Sequence, residues 1–442
     1  MKKVSIVGFG RFGQTLYRLI RDDFAITIYD KKRINTTDLT KNTTVTNNVR
    51  KIYNSEVIFY AVPINAFEDV IAAHKKYFQK YHILIDVLSV KMYPAKVFKK
   101  YLTDTNVQAL LTHPMFGPDS SKNGFAGLPI ILDRFMTSCE IYKFWKEYFK
   151  DKKLNVIEMS AQNHDRIAAN SQGITHFIGR LLNAYHLKQT PISSLGTKKL
   201  LEVVEQTCND TWQLFTDLQH YNPYTKQMRI RFGEIYDKLY NKLLPKQVSS
   251  KLITVGIQGG RGSFNEEALQ HYIKEQNITR YKIKYLYTSE NVLKALYKGD
   301  IDKGQFAIHN SVGGIVGESI YAMANYKFKI IEEFTIKISH TLMIKKDAKI
   351  SEITTIMTHP QGLAQCKDTL SKKYPHLKLI SGENELMDQS MVAKYLSQNK
   401  LPKNIATLGS KILGKIYGLQ IIEDNLQDAE ENSTGFLVVA RI

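Results

Sequence analysis

The apolar stretch Lys3–Val7 runs straight into Gly8-Phe9-Gly10-Arg11-Phe12-Gly13 and then into a helix-forming stretch, Gln14–Arg21. Few turns join a strand to a helix in this way. The first glycine permits the tight turn, the second lets backbone approach a pyrophosphate, and the third lets helix and strand pack closely. The helix that follows offers free N–H groups and the positive end of its dipole. Asp30 stands about 20 residues after Gly10, at the end of the next apolar stretch, Ala25–Tyr29. A carboxylate there accepts hydrogen bonds from both ribose hydroxyls and repels a 2′-phosphate. The pattern predicts a dinucleotide site from Gly8, Gly10, Arg11, Phe12, Gly13 and Asp30, with NAD favoured over NADP. Lys31, Lys32 and Arg33 soften that preference toward NADP. A purely structural glycine turn is the other reading.

The text around this turn alternates strand and helix. Glu56–Val62 and His82–Val87 are apolar runs between polar segments, as in buried parallel strands. Lys31–Asn48 is polar and reads as a loop around a short edge strand. Strands joined by helices imply a parallel sheet with right-handed crossovers. From about Ala161 to Leu244 helical periodicity takes over, and Pro245–Lys251 reads as a linker. At Leu252 the stretch LITVGIQGGRGSFNEEAL brings a second strand, Gly-rich turn and helix, and the α/β alternation resumes to Ile442. The two Gly-rich openings differ in spacing, so they are not copies of one another.

A chain of 442 residues has room for about three domains. Hydrophobic residues make up 43%, too many for disorder. No apolar run approaches the ~20 residues of a membrane helix, and no signal peptide is expected ahead of the first strand. Cys139, Cys208 and Cys366 are odd in number and far apart, which argues against disulfides or a metal site and fits a reducing cytoplasm. The formal charge of +19 raises nucleic acid as a partner. The lysines alternate with acids and form no basic run, so a generally basic surface that attracts small anions is the stronger reading.

His113 follows an apolar strand, where ligands meet a parallel sheet. Ser89 and Lys91 end a neighbouring strand, so the three are expected to converge on the nicotinamide. A His satisfied in a loop is the alternative. On a helical wheel of ~100° per residue, Ile167, Ile174, Phe177, Ile178 and Leu181 share one side of Asn163–Tyr185. Asp165, Ala169, Gln172, His176 and Arg180 share the other. That stripe reads either as a solvated face or as a substrate-facing one.

The segments GFGRFGQTL, DVLSVK, THPMFGP, NHDRIAANSQGITHFIGRLL and YNPYTKQMR, in this order, resemble the prephenate/arogenate dehydrogenases of tyrosine biosynthesis. THPMFGP and SQGITHFIGR are most similar to the arogenate-type branch. The resemblance covers roughly residues 1–245. It implies a Rossmann NAD(P)-binding domain over 1–160 and a helical substrate and dimerisation domain over 161–245, hence a homodimer. The implied reaction is an oxidative decarboxylation, with hydride passing to NAD and carbon dioxide leaving the quaternary carbon. His113 matches the family's catalytic His, and an imidazole suits a proton-accepting role near neutrality. Ser89 matches a Ser contacting hydroxyl and nicotinamide, and His176 a helix His near substrate. Gln172 lies on the same stripe. Arg229 and Arg231 are candidates for a carboxylate clamp, and Asp165 for favouring the amine of arogenate.

The second half resembles prephenate dehydratase over about residues 252–442, through GIQGGRGSFNEEAL, AIHNSVGGIVGES, MTHPQGLAQC and the closing ENSTGFLVV. The resemblance implies a two-lobed, periplasmic-binding-protein-like α/β domain, and the regulatory ACT domain that often follows it is expected to be missing. It assigns Thr434 to assisting loss of the 4-hydroxyl, and Asn310, Ser311 and Gln361 to substrate. Two positions depart from the family. His309 stands where the family has Glu, and Gly435 where it has Arg. A missing guanidinium costs activity if it orients substrate; His309 is a candidate to supply a donor in its place, and a core or loop His is the other reading.

These readings converge on a bifunctional enzyme feeding tyrosine and phenylalanine from one dianionic ring. An alternative keeps the dehydrogenase and makes the second half a ligand-binding or regulatory module that senses an aromatic amino acid effector, phenylalanine or tyrosine, or prephenate. A further one has that half decarboxylate prephenate without aromatisation, against which Thr434 speaks. A nucleic-acid protein rests on charge alone.

Overall fold

The structure, a computed structural model, describes residues 2–442. It divides into two compact units, one running to Ile235 and one from Tyr236 to Ile442. No helix among the described residues is long and apolar enough to cross a membrane.

The first unit is built on an eight-stranded sheet. Its strands are β1 (Lys3–Val7), β2 (Ala25–Tyr29), β3 (Thr43–Thr46), β4 (Val57–Tyr60), β5 (Ile83–Asp86), β6 (Gln108–Pro114), β7 (Pro129–Met136) and β8 (Asn155–Glu158). They lie in the order β3-β2-β1-β4-β5-β6-β7-β8. The chain leaves β1 in one direction and returns to its other side at β4, so a crevice opens between their carboxyl ends. Alternating residues feed two cores. Ile6, Ile28, Phe59 and Trp145 pack on one face of the sheet, and Ile58, Tyr60, Phe67 and Phe98 on the other. β4 and β5 are buried throughout, which is why they read as unbroken apolar runs. The expected parallel order holds through β6. β7 runs antiparallel to β6, because residues 115–128 contain no helix to carry the chain back.

Helices follow, at Ala161–Ala168, Ile174–Ala184, Leu195–Cys208, Trp212–Tyr221 and Thr225–Leu243. Ser160, Ser194 and Thr211 start three of them by accepting a hydrogen bond from a first-turn N–H.

The second unit holds two sheets. The first contains β9 (Ile253–Ile257), β10 (Tyr281–Tyr285), β11 (Lys303–Asn310), β12 (Gly314–Ile315) and β13 (Lys329–Lys337). The second contains β14 (Thr341–Ile344), β15 (Thr355–Thr358), β16 (Lys378–Ser381), β17 (Ile405–Gly409) and β18 (Gln420–Glu423). The last strand, β19 (Ser433–Ala440), returns to the first sheet between β11 and β13. The chain therefore crosses between the lobes twice, at 338–340 and 424–432, and Thr434 sits just past the second crossing.

Candidate active sites

The glycine turn has the geometry its spacing predicts. Gly8 has φ +94°, and a Cβ on it would lie 2.4 Å from the Ala61 carbonyl oxygen. A Cβ on Gly13 would lie 2.2 Å from the Gly8 carbonyl oxygen. Gly10 has no neighbour within 4 Å of such a Cβ, so this side of the turn is open to a ligand. The helix Arg11–Ile20 starts with no side-chain cap. At the end of β2, Asp30 Oδ2 accepts from Phe9 N at 2.6 Å and Oδ1 from Lys32 N at 2.8 Å. Each oxygen keeps a lone pair for a ribose hydroxyl. Phe12 packs near Phe116. Arg11 is already engaged by Asp119 at 2.9 Å, Asp210 at 3.2 Å and the Asn209 carbonyl at 2.8 Å.

β6 delivers His113, which is 3% exposed. Its Nδ1 lies 2.8 Å from His164 Nε2, and His164 Nδ1 lies 2.8 Å from Asp165 Oδ1. Asp165 also takes Lys91 N on Oδ1 at 2.7 Å and Met92 N on Oδ2 at 2.9 Å. These N–H groups open the helix Met92–Leu102, so the carboxylate is the acceptor in every contact. His164 Nδ1 therefore donates to Asp165, His113 Nδ1 donates to His164, and His113 Nε2 carries the lone pair. No hydrogen bond reaches His113 Nε2 among the described residues. Burial, then His164, then the Lys91 ammonium hold His113 well below the ordinary range. Burial lowers His164 and His176 as well.

Ser89 Oγ, Gln172 Oε1 and His176 Nδ1 are shielded from solvent and have no partner among the described residues. Unsatisfied polar atoms are costly unless a ligand or water meets them. With the open glycine turn, they fit a nicotinamide dinucleotide and a polar substrate.

Several expectations need correction. Lys91 does not join Ser89 and His113 at the nicotinamide. It is fully buried, pairs with Asp86 and donates to the Thr112 carbonyl. Asp165 is also fully buried and its oxygens are taken, so it offers nothing to a substrate amine. The wheel grouped Asp165 with His176 because it assumed one uniform helix. Ala169–Gly173 instead forms a turn of π-helix, held by Gln219 Nε2 on the Gly173 carbonyl at 2.8 Å. Its extra residue rotates the later stripe relative to the earlier one. The wheel's apolar side leaves Ile167 and Leu181 exposed. Arg229 braces Gln219, at 2.7 Å from its Oε1. Arg231 is exposed and makes no hydrogen bond or ion pair among the described residues. His164 went unread, although the adjacent His164-Asp165 pair at the start of a helix is a visible signal.

In the second unit, Asn310 and Thr434 are partners across the β11–β19 ladder. Asn310 Nδ2 donates to Thr434 Oγ1 at 2.9 Å, Asn432 Oδ1 at 2.8 Å and the Ser433 carbonyl at 3.0 Å. Thr434 is thus an acceptor here, and its own proton is unused. Asn432 Nδ2 reaches Gln365 Oε1 at 2.8 Å, and His340 Nε2 lies 2.7 Å from that oxygen. This buried chain ties Thr434 to both lobes. Burial pulls His340 down to about 4.

Gln361 is half-buried and its side-chain amide makes no hydrogen bond among the described residues. Ser311 is corrected: its hydroxyl donates to the Glu431 carbonyl and accepts from Ser433 N, so it holds the start of β19. His309 lies opposite Gly435. Strand alternation puts both on the other face from Asn310 and Thr434, and His309 is exposed. It cannot replace a guanidinium in the cleft. Ser263 and Ser390 were not anticipated. Their hydroxyls, at the starts of the helices Phe264–Glu275 and Gln389–Ser397, are buried and unpartnered.

The family model for the prephenate dehydrogenase nucleotide-binding domain matches residues 21–158. Those for prephenate dehydratase and the TYRAAT1-like C-terminal domain match 255–442 and 181–252. Arogenate dehydrogenase 2, chloroplastic, of Arabidopsis thaliana is 31% identical over 255 residues, covering 54% of this chain and 70% of the relative. The bifunctional chorismate mutase/prephenate dehydratase of Buchnera aphidicola subsp. Acyrthosiphon pisum is 30% identical over 202 residues, covering 46% and 49%. The chain spans about half the length of the dehydratase relatives it matches. A solved structure of prephenate dehydrogenase from A. aeolicus, in complex with hydroxyphenyl propionate and NAD+, aligns at 19% identity with a TM-score of 0.45. It covers 63% of this chain and 96% of that one.

Proposed function

Because the chain belongs to the arogenate/prephenate dehydrogenase family and carries a prephenate dehydratase domain behind it, we propose that it works at both branches that leave one ring acid. The first half oxidatively decarboxylates prephenate, or its amino analogue arogenate, to 4-hydroxyphenylpyruvate or tyrosine. The second converts prephenate to phenylpyruvate with loss of water and carbon dioxide. We keep 1–160, 161–245 and 252–442 as the functional domains.

The carrying observation is the His113–His164–Asp165 chain, which leaves His113 Nε2 as a bare acceptor. The ring hydroxyl gives its proton to His113 Nε2 as a carbonyl forms at its carbon. The Nδ1 proton of His113 shifts toward His164 Nε2, and Asp165 balances the positive charge. Ser89 Oγ, which has no partner among the described residues, would hold the same hydroxyl. As carbon dioxide leaves, the proton returns to the ring oxygen and the ring aromatises. Bound nicotinamide supplies the hydride acceptor for this chemistry. Gly8, Gly10, Gly13 and the start of the helix Arg11–Ile20 would hold its pyrophosphate, and Asp30 its ribose. The free lone pairs of Asp30 favour NAD over NADP.

In the second half, Asn310 holds the Thr434 oxygen as acceptor, so the threonine proton is available to the departing 4-hydroxyl. The departures at 309 and 435 lie on the opposite face of the sheet and take nothing from this site. That geometry favours a working dehydratase over a binding-only module.

A second copy of the chain is proposed to cover exposed apolar residues of the helical segment, among them Ile167, Leu181, Tyr185, Leu195 and Trp212. The three unpaired cysteines support a reducing, cytoplasmic setting.

The test is phenylpyruvate formation from prephenate without nicotinamide, with Thr434→Ala as control. Product above the control supports the dehydratase. NADH formation from prephenate and from arogenate, each with NAD, tests the dehydrogenase. Absence of both products would overturn the reading.

A further inference from the structure

Lys91 is the one fully buried lysine in the first unit's core, and the reaction described above does not use it. Its ammonium pairs with Asp86 and donates to the carbonyl of Thr112, the residue before His113. Asp86 Oδ2 in turn accepts Thr112 N at 3.2 Å, and the Thr112 hydroxyl donates to the Asp86 carbonyl at 2.6 Å. Both main-chain groups of Thr112 are thus held by the Lys91–Asp86 pair. The main-chain N–H of Lys91 does something else. It donates to Asp165 Oδ1, the far end of the chain through His164 to His113. One residue therefore grips the base from two directions, through the strand that carries it and through the relay behind it.

A buried ion pair is rarely kept for stability, since desolvation offsets most of its attraction. Well-packed apolar residues of similar volume often replace such a pair without loss of stability. We propose that Lys91 is a positioning residue for His113, fixing the strand end and the relay in register and setting its ammonium behind the imidazole. The charged and titratable groups that act on that ring are His164, from the helix Ala161–Ala168, and Lys91, and those that act on Lys91 in turn are Asp86, Asp165 and Asp133 of β7. Lys91 is the lysine among them, and its ammonium opposes protonation of the ring. It keeps His113 unprotonated and ready to accept, in line with the direction of its shift. This inference rests on the dehydrogenase reading for its purpose, and its test has a readout that does not need turnover.

The test follows the His113 imidazole resonance with pH, assigned by its disappearance in His113→Gln. In the parent it is expected to titrate well below the ordinary value of about 6.5. Lys91→Met removes the charge but leaves Asp86 without its partner, so Asp86→Asn/Lys91→Met is the paired variant that keeps the site neutral. In that variant the His113 midpoint is expected to rise by at least half a unit. The acid limb of kcat/KM for NADH formation should move with it, while KM for NAD changes less than twofold. A parent His113 that titrates at or above the ordinary value overturns the proposal. So does an unchanged midpoint in the folded double variant. Loss of NADH formation in the parent would strike the dehydrogenase reading alone, because the resonance still reports on Lys91.

Discussion

His309 and Gly435 stand directly opposite each other across the β11–β19 ladder, one step along from Asn310 and Thr434. The two departures from the dehydratase pattern are therefore a single cross-strand pair. A replacement at one position meets the replacement at the other, so neither leaves a partner behind. Because strand residues alternate between faces, the pair points away from Thr434.

Asn310 and His309 should then behave very differently when replaced. His309→Ala is expected to leave phenylpyruvate formation within about twofold of the parent. Asn310→Ala removes the donor that holds Thr434 Oγ1 and is expected to cost about a hundredfold, the scale of losing one positioned donor. Initial rates from prephenate without nicotinamide decide it. A large loss in His309→Ala would put position 309 back in the cleft.

The relay in the first unit predicts that His164 matters as much as a residue in contact with substrate. His164→Ala is expected to lower kcat for NADH formation by about 10²–10⁴-fold, with the dissociation constant for NADH unchanged within twofold. Asp165→Asn should also lower stability, by about 1–2 kcal/mol, because the Asp165 carboxylate caps the helix Met92–Leu102 through two N–H groups. Stopped-flow turnover, cofactor fluorescence and urea unfolding separate the effects. Full activity in His164→Ala would remove the relay.

The direction of the His113 shift sets the pH profile. The neutral imidazole is the working form, and its proton affinity in the folded protein is lowered. Activity should therefore hold as pH falls from 7 through 6.5 and decline only below that. An acid limb centred at or above 6.5 in kcat/KM would show that the buried environment does not act as described.

Asp30 predicts cofactor choice. Asp30→Ser removes the repulsion toward a 2′-phosphate and one ribose acceptor. The ratio of kcat/KM for NAD to that for NADP is expected to fall by about tenfold or more, equivalent to about 1.4 kcal/mol. An unchanged ratio would remove Asp30 from the ribose site.

The parts legible in the sequence are those that short-range chemistry decides. The turn Gly8–Gly13 is dictated by local sterics, since a Cβ on Gly8 or Gly13 would overlap backbone a few ångströms away. β1 and β2 appear with the expected limits, because short stretches rich in β-branched and apolar residues between polar segments suit a strand. Thr434 and Asn310 were marked by their motifs and lie together. What failed was every inference that assumed a regular local geometry would persist. The wheel over Asn163–Tyr185 could not register a π turn that Gln219 holds from another helix. Asp165 was read as a substrate group until packing gave its oxygens to Lys91, Met92 and His164. The residue types at Gly8–Gly13, His113 and Thr434, and the chemistry each can do, were determined by the sequence alone. Which of them meet, and which lysine ends up beneath the base, was decided by the tertiary structure, because those contacts join strands and helices far apart in the chain and form only when both cores close.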